Sequence, residues 1–167
     1  MLGIDPGLGV TGYGVIVASA GGFRTAGFGV VTPGRGADRP QRLYHIHQAL
    51  AGVIRQFGPD EVALEDFITG HVRAAVAIGE ARAVAVLAAA QAGLPIFLYK
   101  PGEVKQFVTS YGRGSKAQVQ AMVQALLGLD APPGPADAAD ALAVALCHCL
   151  RRRVPAVSSL GREGGGP

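Results

Sequence analysis

Short apolar runs and longer helical repeats alternate along the chain, and each pattern predicts a different element. The short runs are bounded by Gly, Pro, Asp and Ser, as strands commonly are. They predict strands at 2–4, 14–18, 23–32, 62–64 and 96–99. Gly21 and Gly22 lie between the second and third of these runs and indicate a hairpin.

In the intervening segments apolar residues recur at the three- and four-residue spacing of a helix. This spacing predicts helices at 40–57, 72–91, 103–110, 115–127 and 138–152. Three successive strands followed by strands that alternate with helices predict an α/β fold. We expect a mixed sheet, antiparallel in its first three strands and parallel afterwards, with helices on both faces.

Length and composition are those of one globular domain. The chain has 167 residues, of which 49% are apolar and 16% charged, and this composition excludes a disordered protein. We place a single domain at 1–153 and a flexible tail, rich in Gly and Pro, at 154–167. Lys and Arg number 15 against 12 Asp and Glu, and the excess lies in 151–167. Such a charge permits an anionic partner without requiring one.

The sequence gives no sign of export or of a membrane partner. Met1 leads directly into the first predicted strand, with no basic region before it. A long uncharged stretch, 83–99, is interrupted by polar and helix-breaking residues. Cys147 and Cys149 are two positions apart in a helical pattern, so we expect neither a disulfide nor a zinc site. We therefore expect a cytoplasmic protein.

One motif matches a dinucleotide-binding loop in its letters but not in its context. Residues 7–12 read Gly-Leu-Gly-Val-Thr-Gly, which fits G-x-G-x-x-G. A dinucleotide site needs this loop to open a helix, whose N-terminus binds the pyrophosphate. Here the loop leads into a predicted strand, and no acidic residue occurs between Asp5 and Asp38 to bind a ribose. We reject a dinucleotide site.

Four acidic residues are the candidates for catalysis. Asp5 and Glu65 each follow an apolar strand, and Asp137 and Asp140 share one face at the start of the last predicted helix. Four acids in one crevice would repel one another strongly in the absence of cations. An oxygen-rich site with no Cys nearby favours Mg²⁺ or Mn²⁺ over zinc.

Each of these acids also has an ordinary structural interpretation. Asp137 suits a helix N-cap, Asp140 suits the positive end of the helix dipole, Asp5 suits a turn, and Glu65 suits a solvated strand end. Taken alone, the Asp137–Asp140 spacing favours capping over catalysis. The joint pattern carries more weight than its parts.

Several motifs in a fixed order resemble the RuvC family of bacterial Holliday junction resolvases. The chain begins Leu-Gly-Ile-Asp-Pro-Gly at 2–7 and continues with Val-Thr-Gly-Tyr-Gly-Val-Ile at 10–16. Later segments of the resemblance are Ala-Leu-Glu at 63–65, Gly-Glu-Ala-Arg at 79–82, Val-Lys-Gln at 104–106, Lys-Ala-Gln-Val-Gln at 116–120 and Ala-Asp-Ala-Ala-Asp-Ala-Leu-Ala at 136–143. The resemblance extends from residue 1 to about residue 150.

The resemblance implies a ribonuclease H-like fold and a homodimer that resolves four-way junction DNA by nicking two strands of like polarity. By position, Asp5, Glu65, Asp137 and Asp140 are similar to the four metal-binding catalytic acids of the family. It also implies a branch-migration partner, the RuvA and RuvB complex. Because two divalent ions suit phosphodiester hydrolysis, we expect two Mg²⁺ ions per subunit, with Mn²⁺ as an alternative. The resemblance also implies products with a 5′-phosphate and a 3′-OH.

Four further residues are candidates for DNA binding. Lys105 and Lys116 match basic residues that the family places near the DNA backbone, although alone they read as ordinary solvated lysines. Phe67 either stacks on a base at the open junction or closes the core at a strand end. We also place Arg73, at the start of the 72–91 helix, among the DNA-binding residues.

The segment after Glu65 departs from the family pattern. In Glu65-Asp66-Phe67 the aromatic residue stands one position closer to the glutamate than is usual. Asp66 replaces a neutral residue, so we expect an extra negative charge close to the DNA.

The helix at 72–91 is apolar nearly all round between Ala83 and Ala90, and we expect its outer face to form the dimer interface. Val84 and Leu87 are the residues that we place there.

Two other functions fit parts of the sequence. An actin-like ATPase or sugar kinase also begins with a strand, an Asp and a Gly-rich turn, but it needs two such domains, and this chain has the length of one. A junction-binding protein without nuclease activity would not need the complete acidic set.

Overall fold

A five-stranded sheet forms the centre of the protein. The structure, a computed structural model, describes residues 1–66, 69–109 and 115–153. The strands are β1 (Leu2–Asp5), β2 (Thr11–Ser19), β3 (Gly22–Val31), β4 (Val62–Glu65) and β5 (Ile96–Tyr99). Their order across the sheet is β3-β2-β1-β4-β5.

The strand directions place the ends of β1 and β4 together. β1 pairs antiparallel with β2, and β2 with β3, whereas β1–β4 and β4–β5 are parallel pairs. The predicted mixed sheet is therefore confirmed. Since Ile4 lies opposite Leu64, Asp5 and Glu65 come side by side at the carboxyl edge of the sheet.

Within these described ranges, five helices cover the sheet: α1 (Arg39–Phe57), α2 (Val72–Gln91), α3 (Pro101–Thr109), α4 (Lys116–Leu127) and α5 (Ala136–Arg153). Both α1 and α4 begin with a capping box, in which Asp38 and Ser115 accept from the backbone N–H of Gln41 and Gln118. Within the described residues, no helix is both long enough and apolar enough to cross a bilayer. The tail at 154–167 lies outside the described residues, so the proposed domain boundary stays a prediction.

The helices form one layer on each face of the sheet. Alternate residues of β1 and β4, including Leu2 and Leu64, pack against α1 and α2. The opposite face, which carries Ile16 and Ala63, packs against α3, α4 and α5. Helices on both faces were predicted from the alternation of elements, and this is confirmed.

Three glycines of β1 and β2 let α5 lie directly on the sheet. A Cβ atom at Gly3 would come within 2.1 Å of the Ala141 carbonyl oxygen, and one at Gly14 within 2.7 Å of the Leu142 side chain. A Cβ at Gly12 would approach the Asp137 carbonyl oxygen to 1.9 Å. Two of these neighbours are backbone atoms, which cannot turn aside as a flexible side chain can.

The GxGxxG match therefore has a packing explanation. Its last glycine, Gly12, is in β2 and not at the start of a helix. It makes room for the first turn of α5. The rejection of a dinucleotide site from the sequence agrees with this position in the fold.

We predict that Gly12→Ala displaces the start of α5 and lowers the free energy of unfolding by about 1–3 kcal/mol, as overpacking does. Gly9→Ala is the matched control, because a Cβ at Gly9 has no neighbouring atom within 4 Å. Chemical denaturation of both variants measures the difference. Equal stabilities would contradict the close packing of α5 on Gly12.

Candidate active site

Two parallel strands and one helix bring four acidic residues to the carboxyl edge of the sheet. Asp5 is the last residue of β1 and Glu65 the last of β4. Their side chains are hydrogen-bonded to each other. Asp137 and Asp140 are the second and fifth residues of α5, so they lie on one face of its first turns.

Gly12 determines how α5 approaches the strands. It pairs with Asp5 across β1 and β2, and the Asp137 backbone rests directly over it. As a result both aspartates of α5 act electrostatically on the Asp5 carboxyl group. The structure thus brings together all four acids singled out in the sequence. The N-cap interpretation of Asp137 is wrong, because this residue lies inside the helix and not before it.

The four acids are electrostatically strained. Burial, followed by the charges of Glu65, Asp140 and Asp137, raises the pKa of Asp5 to about 7. Burial and the charge of Asp140 also raise the pKa of Glu65. A hydrogen bond between two carboxyl groups needs a proton on one of them, and the raised pKa values of both groups favour that proton. Without cations, one proton relieves the repulsion between these two groups.

Two lysines supply positive charge at the same edge. Lys116 Nζ donates to Asp140 Oδ2 over 2.7 Å, and this hydrogen bond is the main reason that the pKa of Lys116 is raised. The charge of Lys105 acts on the pKa of Glu65 and lowers it. A cavity of about 140 Å³ has both lysines in its lining, together with Glu65 and Asp140. Both lysines, which the family resemblance predicts near the DNA backbone, lie beside the acids.

The donor set suits a hard divalent cation. Carboxylate oxygens are the ligands that Mg²⁺ and Mn²⁺ prefer. Among the residues that the structure describes, no three acidic, His or Cys side chains already surround one metal-sized point. The raised pKa of Asp5 favours a proton between Asp5 and Glu65, and the Lys116 ammonium group pairs with Asp140. Positive charge is therefore stabilising both between Asp5 and Glu65 and beside Asp140. The acids fit a cation once the proton dissociates and Lys116 moves away.

The other two predicted DNA-binding residues lie outside this cluster. Arg73 is exposed on the first turn of α2. Phe67 lies outside the described residues. The structure therefore gives Arg73 an accessible position and leaves its role as a prediction.

Asp66 forms an ion pair that the sequence did not predict. Its carboxylate contacts Arg82 Nη1, and the predicted closeness of its charge to the DNA stays a prediction. Both side chains are partly buried, with 25% of Asp66 and 30% of Arg82 exposed. The two residues are 16 positions apart, and no periodic pattern links a strand end to the middle of the following helix.

A buried histidine, which the sequence analysis did not single out, fixes the other end of α5. His148 is 2% exposed, and its two ring nitrogens contact the Tyr99 hydroxyl at 2.7 Å and Glu61 Oε2 at 2.8 Å. Because a carboxylate only accepts, Nε2 carries the proton and Nδ1 accepts from Tyr99. Burial lowers the pKa of His148, which favours this neutral ring. Arg152 also pairs with Glu61, so α5 is joined to the strands beside it.

A cavity of about 390 Å³ adjoins this histidine network. Met1 and Glu61, which precede β1 and β4, are in its lining. It therefore lies at the amino edge of the parallel strands, away from the four acids. Its size alone does not make it the candidate active site.

The chain is similar over most of its length to known proteins of one family. A family model described as "Crossover junction endodeoxyribonuclease RuvC" matches residues 1–148. Proteins of that name from Rubrobacter xylanophilus and Dehalococcoides mccartyi are 44% and 47% identical to the chain. The alignments cover 97% of this chain and 91% of the first relative, and 96% of this chain and 98% of the second.

A solved structure agrees with the fold. The structure titled "T. thermophilus RuvC in complex with Holliday junction substrate" superposes with a TM-score of 0.86 at 36% identity. The match covers 91% of this chain and 93% of that one. The expected ribonuclease H-like architecture is thereby confirmed, as is the resemblance found in the motifs. The chain belongs to the crossover junction endodeoxyribonuclease RuvC family.

Proposed function

We propose that this protein resolves four-way DNA junctions by metal-dependent hydrolysis of phosphodiester bonds, leaving a 5′-phosphate and a 3′-OH. The observation that carries the proposal is the meeting of four acids at one sheet edge in a chain of the RuvC family. The junction as substrate is supported by the T. thermophilus relative, whose structure is titled as a complex with a Holliday junction.

Asp5, Glu65, Asp137 and Asp140 are the residues that we propose as metal ligands. We expect two Mg²⁺ ions per subunit, with Mn²⁺ able to replace them. Bound divalent cations activate water and neutralise the charge that develops on the leaving 3′ oxygen. The high pKa of Asp5 supports this assignment, since a crowded carboxyl group that is protonated near neutral pH gains most from a cation.

The lysines and Arg73 are the residues that we propose for the DNA backbone. Lys116 has 60% of its side chain exposed, so it can move from Asp140 to a phosphate without disturbing the core. Lys105 is also exposed on α3 and acts on Glu65. Ammonium groups beside the acids counter the repulsion that a phosphate meets there.

A homodimer fits both the substrate and the surface of α2. The buried residues of α2 are four alanines, Ala81, Ala85, Ala88 and Ala89. Val72, Val76 and Leu87 are exposed by 77%, 48% and 51%, and their spacing puts them along one side of the helix. Such an apolar stripe is typical of an interface. A two-fold dimer presents two equal sites, which suits symmetric nicking of two like-polarity strands.

Family membership is the support for the cellular context that we propose. We propose that the protein acts in the cytoplasm, where its DNA substrate is, together with a branch-migration complex of RuvA and RuvB. Membership of the RuvC family argues against the sugar-kinase alternative. The complete set of acids argues against a junction-binding protein that does not cut.

We predict that Asp5→Asn lowers the rate of junction cutting by on the order of 100-fold or more, because it removes a ligand charge at the centre of the cluster. Junction binding should persist, since the substitution leaves the lysines in place. Cutting of labelled junction DNA with Mg²⁺ and a gel-shift assay measure the two effects. Asp60→Asn, an exposed acid at the opposite sheet edge, is the control. Cutting at the wild-type rate by Asp5→Asn would remove Asp5 from the site.

The raised pKa of Asp5 predicts a pH dependence of stability in metal-free protein. Between about pH 4 and pH 7 the folded protein holds a proton that the unfolded chain has released, so stability falls as the pH rises through this range. Asp5→Asn removes this contribution. Thermal unfolding in a chelator should therefore give a steeper loss of Tm with pH for the wild type than for the variant.

The same measurement with Mg²⁺ tests the link between proton and metal. Added Mg²⁺ should raise the Tm strongly at pH 8 and little at pH 5, because a protonated Asp5 is a poor ligand. Equal pH slopes for the wild type and Asp5→Asn, or stabilisation by Mg²⁺ that is the same at both pH values, would contradict this account.

We predict that Leu87→Glu yields a monomer, because it places a charge in the apolar stripe of α2. Sedimentation velocity measures the oligomeric state, and junction assays should show fewer paired nicks. Met122→Glu on α4 is the matched control, since Met122 is 37% exposed on the opposite layer. A Leu87→Glu variant that remains an active dimer would refute this interface.

A further inference from the structure

The first part of α2 contributes no fully buried residue to the core. The first buried residue of this helix is Ala81. Residues 72–80 are exposed or half-buried, and we call them the overhang. At 1.5 Å per residue the overhang is roughly 14 Å long. It follows the segment that leaves β4 directly after Glu65, and it carries Arg73.

An ion pair joins α2, just after the last residue of the overhang, to the residue that follows β4. Arg82 follows Ala81 immediately, and its guanidinium contacts the carboxylate of Asp66. The backbone N–H of Asp66 donates to the Tyr99 carbonyl oxygen over 2.8 Å. Asp66 is thus held to β5 by its backbone and to α2 by its side chain, one residue beyond Glu65.

The burial of this pair separates it from an ordinary surface pair. Arg39 and Glu80 form another ion pair on α2, but their side chains are 49% and 35% exposed and they join α2 to α1. The Asp66–Arg82 side chains are less exposed, so removal of one partner leaves a partly desolvated charge without compensation. We therefore expect the Asp66–Arg82 pair to constrain the chain more than Arg39–Glu80 does.

We propose that Asp66 and Arg82 are a positioning pair that sets the place of the overhang relative to Glu65 and so selects which phosphodiester bond is cut. The proposal rests on the function proposed above. When a DNA strand is held along the overhang, the distance from the overhang to Glu65 determines which phosphodiester bond lies at the acids. When the pair is broken, the overhang shifts against Glu65, and neighbouring phosphodiesters reach the acids as well.

A purely structural role makes a different prediction. If the pair only stabilised the fold, its loss would lower the Tm and the fraction of active protein. The remaining active molecules would still cut at the original bond. The position of the cut therefore separates positioning from stability.

The test is a double-mutant cycle with Asp66→Asn, Arg82→Gln and both together. The products of junction cutting are mapped at nucleotide resolution under single-turnover conditions with saturating protein. Each single variant should slow the main cut about tenfold and add cuts at adjacent bonds, with a junction Kd that changes by less than about twofold. The double variant should be no worse than either single variant, because both remove the same interaction. Arg82→Lys, which keeps the charge, should restore part of the selectivity.

A second readout does not depend on activity. Hydrogen exchange at the Asp66 amide and across the overhang should be faster in Asp66→Asn and Arg82→Gln than in the wild type. The control cycle uses Glu103→Gln and Arg151→Gln, an exposed ion pair between α3 and α5 outside the overhang, which should leave the cut position unchanged. An unchanged cut position, or losses that add in the double variant, would overturn the proposal. If the wild type cuts no junction with either metal, the proposed function fails, and hydrogen exchange still decides whether the pair positions the overhang.

Discussion

The close contact between α5 and the glycines of β1 and β2 is the constraint on which the rest of the structure depends. A sheet surface covered with ordinary side chains would hold a helix at a greater distance. Gly3, Gly12 and Gly14 remove that layer, and the backbone of α5 comes down onto the strands. Only then can carboxylates from a helix near the end of the chain reach one that ends its first strand. The network around His148 joins the other end of the same helix to Glu61 and Tyr99.

Such an approach has an electrostatic cost. Asp5, Glu65, Asp137 and Asp140 would disfavour the folded state if all were charged and unscreened. The fold offsets this cost with a proton between the two strand residues and with a lysine on Asp140. The proton can dissociate and Lys116 can move away. The repulsion among the acids then favours the binding of cations. Partial burial makes these interactions stronger than they would be in water.

Much of this arrangement could be predicted from the sequence, because it depends on local rules. Apolar runs located the strands, and two acids at the ends of parallel neighbours had to lie at one sheet edge. The contacts that depend on long-range packing could not be predicted. The motif around Gly12 matches a phosphate-binding loop, and only the fold reveals the helix above it. Asp66 finds Arg82 and Lys116 finds Asp140 across distances in sequence that no periodicity connects.

The lysine on Asp140 is a counter-ion tethered to the chain. A group held by its own backbone is present at a high local concentration that dilution does not change. If Asp140 is a metal ligand, as proposed above, a divalent cation must compete with Lys116, so the ammonium group raises the concentration of free cation needed to fill that position. A nucleic acid phosphate that binds Lys116 would then relieve the competition. By thermodynamic reciprocity, substrate and cation would strengthen each other's binding.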